Sequence, residues 1–417
     1  MLSREFHGSR RALYHEILLD KQMAVMFAGK QKRKAGDEYY PFSVYRNFYY
    51  LTGCEEPEAV YLAYRFEGKI REALFIRRTD EKAEVYEGRR LRPEEAGEKY
   101  GIVRVGYLDE MDEAVCGIMG RAKINTLWLD LEEKRMEEQD EERQFAAKMQ
   151  RNYPFLNVCN SCSVLAEMRK IKDEEEIEEH RRACAVTVSA VNYMARNIRP
   201  GMTESQMEAY FDFIVKTRGC GHAFATVAAA GKNACILHYE ANTDVAEDGD
   251  LVLFDLGARS GYYCADVSRT FPVNGKFTER QRRLYEIVLK GLQAAIEAAY
   301  PGQIKDDLQK ISRQVMAREL VRIGMIRREE EIDRYYLHGS GHFIGLYTHD
   351  VGESPKNRLE ENMVFTLEPG LYFPEEGIGI RIEDTLLVTE NGCEVLTAGI
   401  PKTVEEIEAL MEAEIEN

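Results

Sequence analysis

Residues 251–271, LVLFDLGARSGYYCADVSRTF, constrain this chain more than any other stretch. An apolar strand carries Asp255, turns through Arg259-Ser260-Gly261, and returns as a second strand carrying Asp266. A two-residue turn on Ser260-Gly261 sets the two acids opposite each other, with Cβ atoms about 4.5–5.5 Å apart. Two bare carboxylates that close, among apolar neighbours, repel each other and lose hydration. One must take a proton, or a cation must sit between them. The competing reading is a solvated hairpin with both acids in water, and the rest of the chain has to decide.

A second acid-bearing hairpin follows, VFTLEPGLYF returning as IGIRIED after Pro374-Glu375-Glu376-Gly377. If its loop centres on Glu375-Glu376, Glu368 and Glu383 face each other, although Pro369 favours a bulge that would shift the register. Between the hairpins lies LHGSGHFIGLYTHD, which places three of the chain's eight histidines, His338, His342 and His349, within twelve residues. Gly339 and Gly341 argue for a loop or strand end there rather than a helix.

Four carboxylates and one imidazole make a hard, oxygen-rich set. It suits a pair of divalent Mn, Co, Fe or Zn ions and disfavours a thiolate-bound structural zinc. Two such ions about 3.5–4 Å apart share a water, lower its pKa and polarise a carbonyl, which is hydrolytic chemistry. His238, on the small apolar run ACILHY, reads in isolation as a hydrogen-bonded core histidine. His180 and His222 read as structural or surface residues.

At 417 residues the chain exceeds what one core usually spans, so two domains are expected. No apolar run reaches membrane-span length, and MLSREFHGSRRALYHE lacks the apolar centre of a signal peptide. A net charge of −17 argues against nucleic acid as a partner. Nine scattered cysteines then read as reduced thiols of a cytoplasmic enzyme. Cys159 and Cys162 have redox-motif spacing, but no second such pair supports a redox or zinc role.

The first part, to about residue 165, reads as an α/β unit. It has a helix over 10–19, strands over 23–27, 60–64, 72–76 and 126–130, and an aromatic cluster over 39–53. Its histidines, His7 and His15, read as surface residues. The second part pairs helices with strands, an α+β or α/β layout. Asp173 with Glu176, and Thr203 with Gln206, are capping boxes opening helices that run to about 199 and 216. Further helices fit 278–299 and 305–324. The glutamate-rich tail from Thr403 reads as a solvated helix.

Asp255-x-Gly257, Tyr263-x-x-Asp266-x-Ser268-Arg269-Thr270-Phe271, His338-Gly-Ser-Gly-His342, Glu368-Pro-Gly and Arg381-Ile-Glu383-Asp384 together resemble the "pita-bread" dinuclear metallopeptidases. That group includes methionine aminopeptidase, aminopeptidase P and prolidase, and the likeness spans roughly 170–400. It implies Asp255, Asp266, His342, Glu368 and Glu383 as metal ligands. It implies His238, His338 and His349 as lining the substrate site, with Arg381 orienting it. The catalytic residues it implies are His238, His349 and Glu368, the last also as proton acceptor. For His238 this replaces the core reading.

The long N-terminal part fits the Xaa-Pro members, and NFYYLTGCEEPEA, from Asn47, is similar to bacterial aminopeptidase P. Ser268 stands where the family usually has Thr. The resemblance thus implies an α+β chain, an N-terminal α/β domain over 1–168 for oligomerisation and substrate access, and a pita-bread catalytic domain over 169–417. It implies hydrolysis of the bond between an N-terminal residue and a following proline. Two divalent ions are expected, Mn2+ first, with Co2+, Zn2+ or Fe2+ as alternatives. A cytoplasmic homo-oligomer, dimer or tetramer, acting on proline peptides completes the expectation, with no nucleic acid or membrane partner. Prolidase, restricted to Xaa-Pro dipeptides, is the alternative, and Gly341 resembles that enzyme as much as aminopeptidase P. An inactive binding domain or a metal-free creatinase-like enzyme ranks below both, because all five ligand positions are filled.

Overall fold

The computed structural model describes residues 2–132, 140–339, 341–352 and 358–413; Ser340 of the histidine motif and the last residues of the acidic tail lie outside them. The chain divides into two compact units, one over 2–168 and one over 169–417.

The first unit is built on a six-stranded mixed sheet. Its order is Val105–Tyr107, Lys69–Ile76, Val60–Phe66, Gln22–Phe27, Thr126–Leu129 and Asn157–Asn160. Val60–Phe66 and Lys69–Ile76 form a hairpin whose turn residues, Glu67 and Gly68, have φ of 52° and 72°. That is the backbone a tight hairpin turn requires. The first helix, Arg4–Tyr14, starts earlier than its apolar spacing suggests and tightens into a 3-10 turn over His15–Ile17.

The two histidines expected at the surface are buried instead. His7 Nδ1 lies 3.1 Å from Tyr50 O. His15 Nε2 lies 2.7 Å from the Tyr61 hydroxyl, which donates at 2.7 Å to Glu72; Arg11 donates to the same carboxylate oxygen. This polar chain ties the first helix to the sheet, and its partners lie 46 to 61 residues away in sequence. No local pattern announces such distant partners.

In the second unit the capping boxes form as read. Asp173 and Glu176 open Glu174–Asn197, and Thr203 and Gln206 open Glu204–Thr217. Glu279–Glu297 and Lys305–Arg322 follow. Their apolar faces share one large core with the strands, including Met194, Phe211, Phe254, Phe271, Leu284, Val288, Phe365 and Ile380. Burying a side chain of that size contributes about 1.5–3 kcal/mol, so strand faces in this unit are firmly specified. The tail helix Val404–Glu412 is not wholly solvated, since it buries Val404, Ile407 and Met411. All nine cysteines are free thiols. No described helix is long and apolar enough to cross a membrane.

Candidate metal centre

Leu251–Leu256 pairs antiparallel with Val267–Pro272, placing Asp255 opposite Ser268, while beyond them Ser260 pairs with Tyr263. The turn therefore falls on Gly261-Tyr262, one residue later than expected, with Gly261 at φ 55°. Moving a turn by one residue slides the partner strand by two. Asp255 and Asp266 are consequently diagonal neighbours, not opposite ones. Because side chains alternate with period two, the slide keeps both acids on one face. Asp266 comes level with Gly257, where a Cβ would lie 1.8 Å from Ala265 O. Only glycine permits that approach.

The second hairpin keeps the expected register. Leu367 pairs with Asp384 and Gly370 with Arg381, so Glu368 and Glu383 fall opposite each other between them. Pro369 interrupts the strand without adding a bulge, and its carbonyl accepts from Ile382 N at 3.2 Å. Glu383 N donates to Ser268 O at 3.0 Å, which joins the two hairpins. His342 arrives from outside the helices: its carbonyl accepts from Thr366 N at 2.8 Å and its N–H donates to Thr366 Oγ1 at 3.2 Å. Gly341 makes that possible: its φ is 146°, and a Cβ there would lie 2.0 Å from Thr366 O.

Three of the four acids are engaged through one oxygen and open at the other. Asp255 Oδ2 accepts from Arg381 Nη2 at 2.7 Å, Glu383 Oε2 accepts from Ser268 Oγ at 2.9 Å, and Asp266 Oδ2 lies 3.2 Å from His342 Nε2. Asp255 Oδ1, Asp266 Oδ1 and Glu383 Oε1 are buried and accept no hydrogen bond. Buried polar atoms are rarely left so, and unpaired buried carboxylate oxygens are what a cation satisfies. Ligand atoms of Asp266, His342 and Glu383 all lie within 4.8 Å of one another. His342 Nδ1 is engaged at 3.1 Å by Phe343 O, which leaves Nε2 turned to the cluster. The donor set fits divalent metal.

Electrostatics agrees. Burial, then the charges of Asp255 and Glu368, pushes the Asp266 carboxyl well above the usual range. Burial and Asp266 do the same to Glu383. Burial lifts Glu368 to about 7, against the pull of His342 and Arg381. Without a cation these acids favour protons.

Around the cluster, His338 Nδ1 lies 2.5 Å from Gly339 O and 3.8 Å from Glu368 Oε2. With Nδ1–H donating to Gly339 O, His338 Nε2 accepts from the Tyr372 hydroxyl at 2.7 Å, and Tyr372 accepts from Arg381 Nη1 at 3.1 Å. Burial drives His338 down to about 4, which keeps it neutral. His349 is exposed and packs edge-on against His342, with ring centroids 4.3 Å apart. His238 is exposed as well, contrary to the core reading of that residue taken alone, and close enough for its charge to act on His338.

Tyr372 escaped the sequence reading. A signal was present: it lies at even spacing from Glu368 on the same strand face, with side-chain-free Gly370 between them. A Cβ at Gly370 would lie 2.7 Å from the Tyr372 hydroxyl and 3.1 Å from His338 Nε2.

Paired acid-bearing hairpins closing on buried, unsatisfied carboxylate oxygens and an imidazole define a metal-dependent hydrolase. The profile of metallopeptidase family M24 matches residues 178–390, and that of the aminopeptidase P N-terminal domain matches 7–128. The chain belongs to metallopeptidase family M24. It is 34% identical to the Xaa-Pro aminopeptidase of Escherichia coli and 33% identical to that of Haemophilus influenzae, covering 98% of each and 98% of itself. Among solved structures, E. coli aminopeptidase P with the inhibitor Pro-Leu superposes with a TM-score of 0.92 at 33% identity, over 98% of both chains. Proline aminopeptidase P II from Yersinia pestis gives 0.91 at 33%, over 98% of this chain and 99% of that one. The E. coli enzyme is also known in a zinc-substituted form.

Proposed function

We infer that the protein is an Xaa-Pro aminopeptidase, a metallo-exopeptidase that hydrolyses the bond between an N-terminal residue and a following proline. The observation that carries the chemistry is the set of buried carboxylate oxygens without a hydrogen-bond partner, beside a group of Asp266, His342 and Glu383 whose ligand atoms lie within 4.8 Å of one another. The substrate class rests on relatives that match both units from end to end.

Asp255, Asp266, His342, Glu368 and Glu383 would hold two divalent ions, with Mn2+ proposed first. Bound there, such ions supply an acidified water and a Lewis-acid hold on the scissile carbonyl. Glu368 would take the proton that the water loses as its oxygen bonds to the scissile carbonyl carbon, and would return it to the proline nitrogen as the C–N bond breaks. His349 donates to the carbonyl oxygen as negative charge develops on it. His238 and His338 hold the peptide. Arg381 fixes Asp255, and through Tyr372 it fixes the tautomer of His338. The N-terminal unit is assigned to oligomerisation, as a dimer or tetramer, and to substrate access, in a cytoplasmic enzyme.

Two measurements test this together. Metal analysis of the purified protein should find divalent ions, and turnover should stop in EDTA and return with Mn2+. Xaa-Pro-Yaa tripeptides should be cleaved. Turnover of Xaa-Pro dipeptides alone would make the protein a prolidase instead. Activity indifferent to EDTA in a metal-free protein would overturn the hydrolytic centre.

A further inference from the structure

Glu204 is wholly buried on the first turn of helix Glu204–Thr217, and its carboxylate accepts four hydrogen bonds. Oε1 accepts from Ala230 N at 2.8 Å and Asn233 Nδ2 at 3.0 Å. Oε2 accepts from the Tyr239 hydroxyl at 2.8 Å and Asp244 N at 2.9 Å. All four donors belong to residues 230–244, the segment that carries His238. Asn242 reinforces the exit of this segment, donating to Thr226 O at 2.8 Å and accepting from Ala228 N at 3.1 Å.

The entry of the segment lies directly on the strand that carries Arg381. A Cβ at Gly379 would be 2.1 Å from Ala234 O, and Cys235 Sγ lies 3.4 Å from Ile378 O. Between these anchors the chain runs with Ile236, His238 and Glu240 outward and Leu237 and Tyr239 turned in. The inward direction of Tyr239 is set by its hydrogen bond to Glu204. His238 lies exposed on the turn just before Tyr239, so the anchor on Tyr239 fixes the chain at the next residue.

We propose that Glu204 is a positioning residue for substrate binding, acting through Tyr239 and Asn233 to place His238 against the peptide. The proposal rests on the reading of His238 as a substrate-holding residue. A charged carboxylate is needed because all its partners donate. Glu204→Gln would turn an amide nitrogen toward at least one N–H donor, at best Asp244 N with the Tyr239 hydroxyl reversing its role, and leave that donor unpaired.

The test is steady-state kinetics of the Mn2+-loaded, full-length enzyme on an Xaa-Pro-Yaa tripeptide, using Glu204→Gln, Tyr239→Phe, His238→Ala and Glu204→Gln/His238→Ala. Glu204→Gln is expected to lower kcat/KM about tenfold or more, chiefly through KM, with metal content unchanged. Tyr239→Phe should act in the same direction but less, and it carries the test should Glu204→Gln fail to fold. The double variant should be no worse than His238→Ala alone. The inference is overturned if both single changes leave KM unaltered and lower only the melting temperature or the active fraction, or if the double variant shows additive loss. A wild-type KM for His238→Ala would overturn the substrate-holding role itself, and this inference with it.

Discussion

Arg381 Nη2 donates to Asp255 Oδ2 at 2.7 Å, while Nε of the same guanidinium donates to Ser268 Oγ at 2.7 Å. The Ser268 hydroxyl in turn donates a hydrogen bond to Glu383 Oε2 at 2.9 Å. One planar, buried cation thereby fixes an acid from the first hairpin and, through a hydroxyl, an acid from the second. Each acid is left with its other oxygen facing the centre. The Ser268 hydroxyl is the middle of this link.

Removing that fork should therefore loosen the metal as well as slow the reaction. Arg381→Ala is expected to cut kcat/KM about 10–100-fold and to lower bound metal measured by mass spectrometry. Arg381→Lys should recover only part of this, since an ammonium cannot reach the acid, the hydroxyl and Tyr372 in one plane. Full metal content and wild-type turnover in Arg381→Ala would contradict the role drawn from these bonds.

Gly257 is where the first hairpin passes closest to itself. Gly257→Ala drives a methyl group into the Ala265 carbonyl, a backbone atom that cannot rotate away. The cost should exceed about 3 kcal/mol, or the chain should fail to fold. Gly261→Ala in the same hairpin is the control, with only Glu179 Oε2 at an ordinary 3.9 Å from the added carbon and a left-handed φ to strain. It should cost about 1–2 kcal/mol. Urea denaturation of the two variants checks the difference, and equal costs would rule out the steric account.

Acid stability should report on His15. Burial drives its imidazole down to about 4, against the pull of Glu72, whereas the unfolded chain titrates near the ordinary value of about 6.5. Between those values the unfolded state binds more protons, so stability falls as pH drops from about 6.5 to 4. This group alone accounts for up to about 3 kcal/mol of that loss. His15→Gln should be less stable at pH 7 and should flatten the slope across this window. A slope unchanged from wild type in melts at pH 7, 6, 5 and 4 would refute the assignment.

Much of the catalytic unit was legible because it is local. A capping box is written within four residues, and Asp173 and Thr203 each cap a helix with their partner three residues on. The register of the second hairpin followed from its loop, and Pro369 did not disturb it. The turn of the first hairpin lies one residue later than its local sequence suggests, yet its acids stay on the same face, because a slide of two conserves the alternation. His7, His15 and the tail helix were misread because their burial depends on residues far along the chain.

The sequence by itself determined the donors: which carboxylates and imidazoles exist, in what order, and on which faces of their hairpins. Those properties depend on turn position and a period of two, both set within a dozen residues. Only the tertiary structure decided which oxygen of each acid is tied down and which is left open. Arg381 reaches Asp255 across 126 residues, and Ser268 reaches Glu383 across 115. A hydrogen bond depends on distance and direction at the ångström scale. Those emerge only when the two hairpins, joined by Glu383 N–H to Ser268 O, close on a common core.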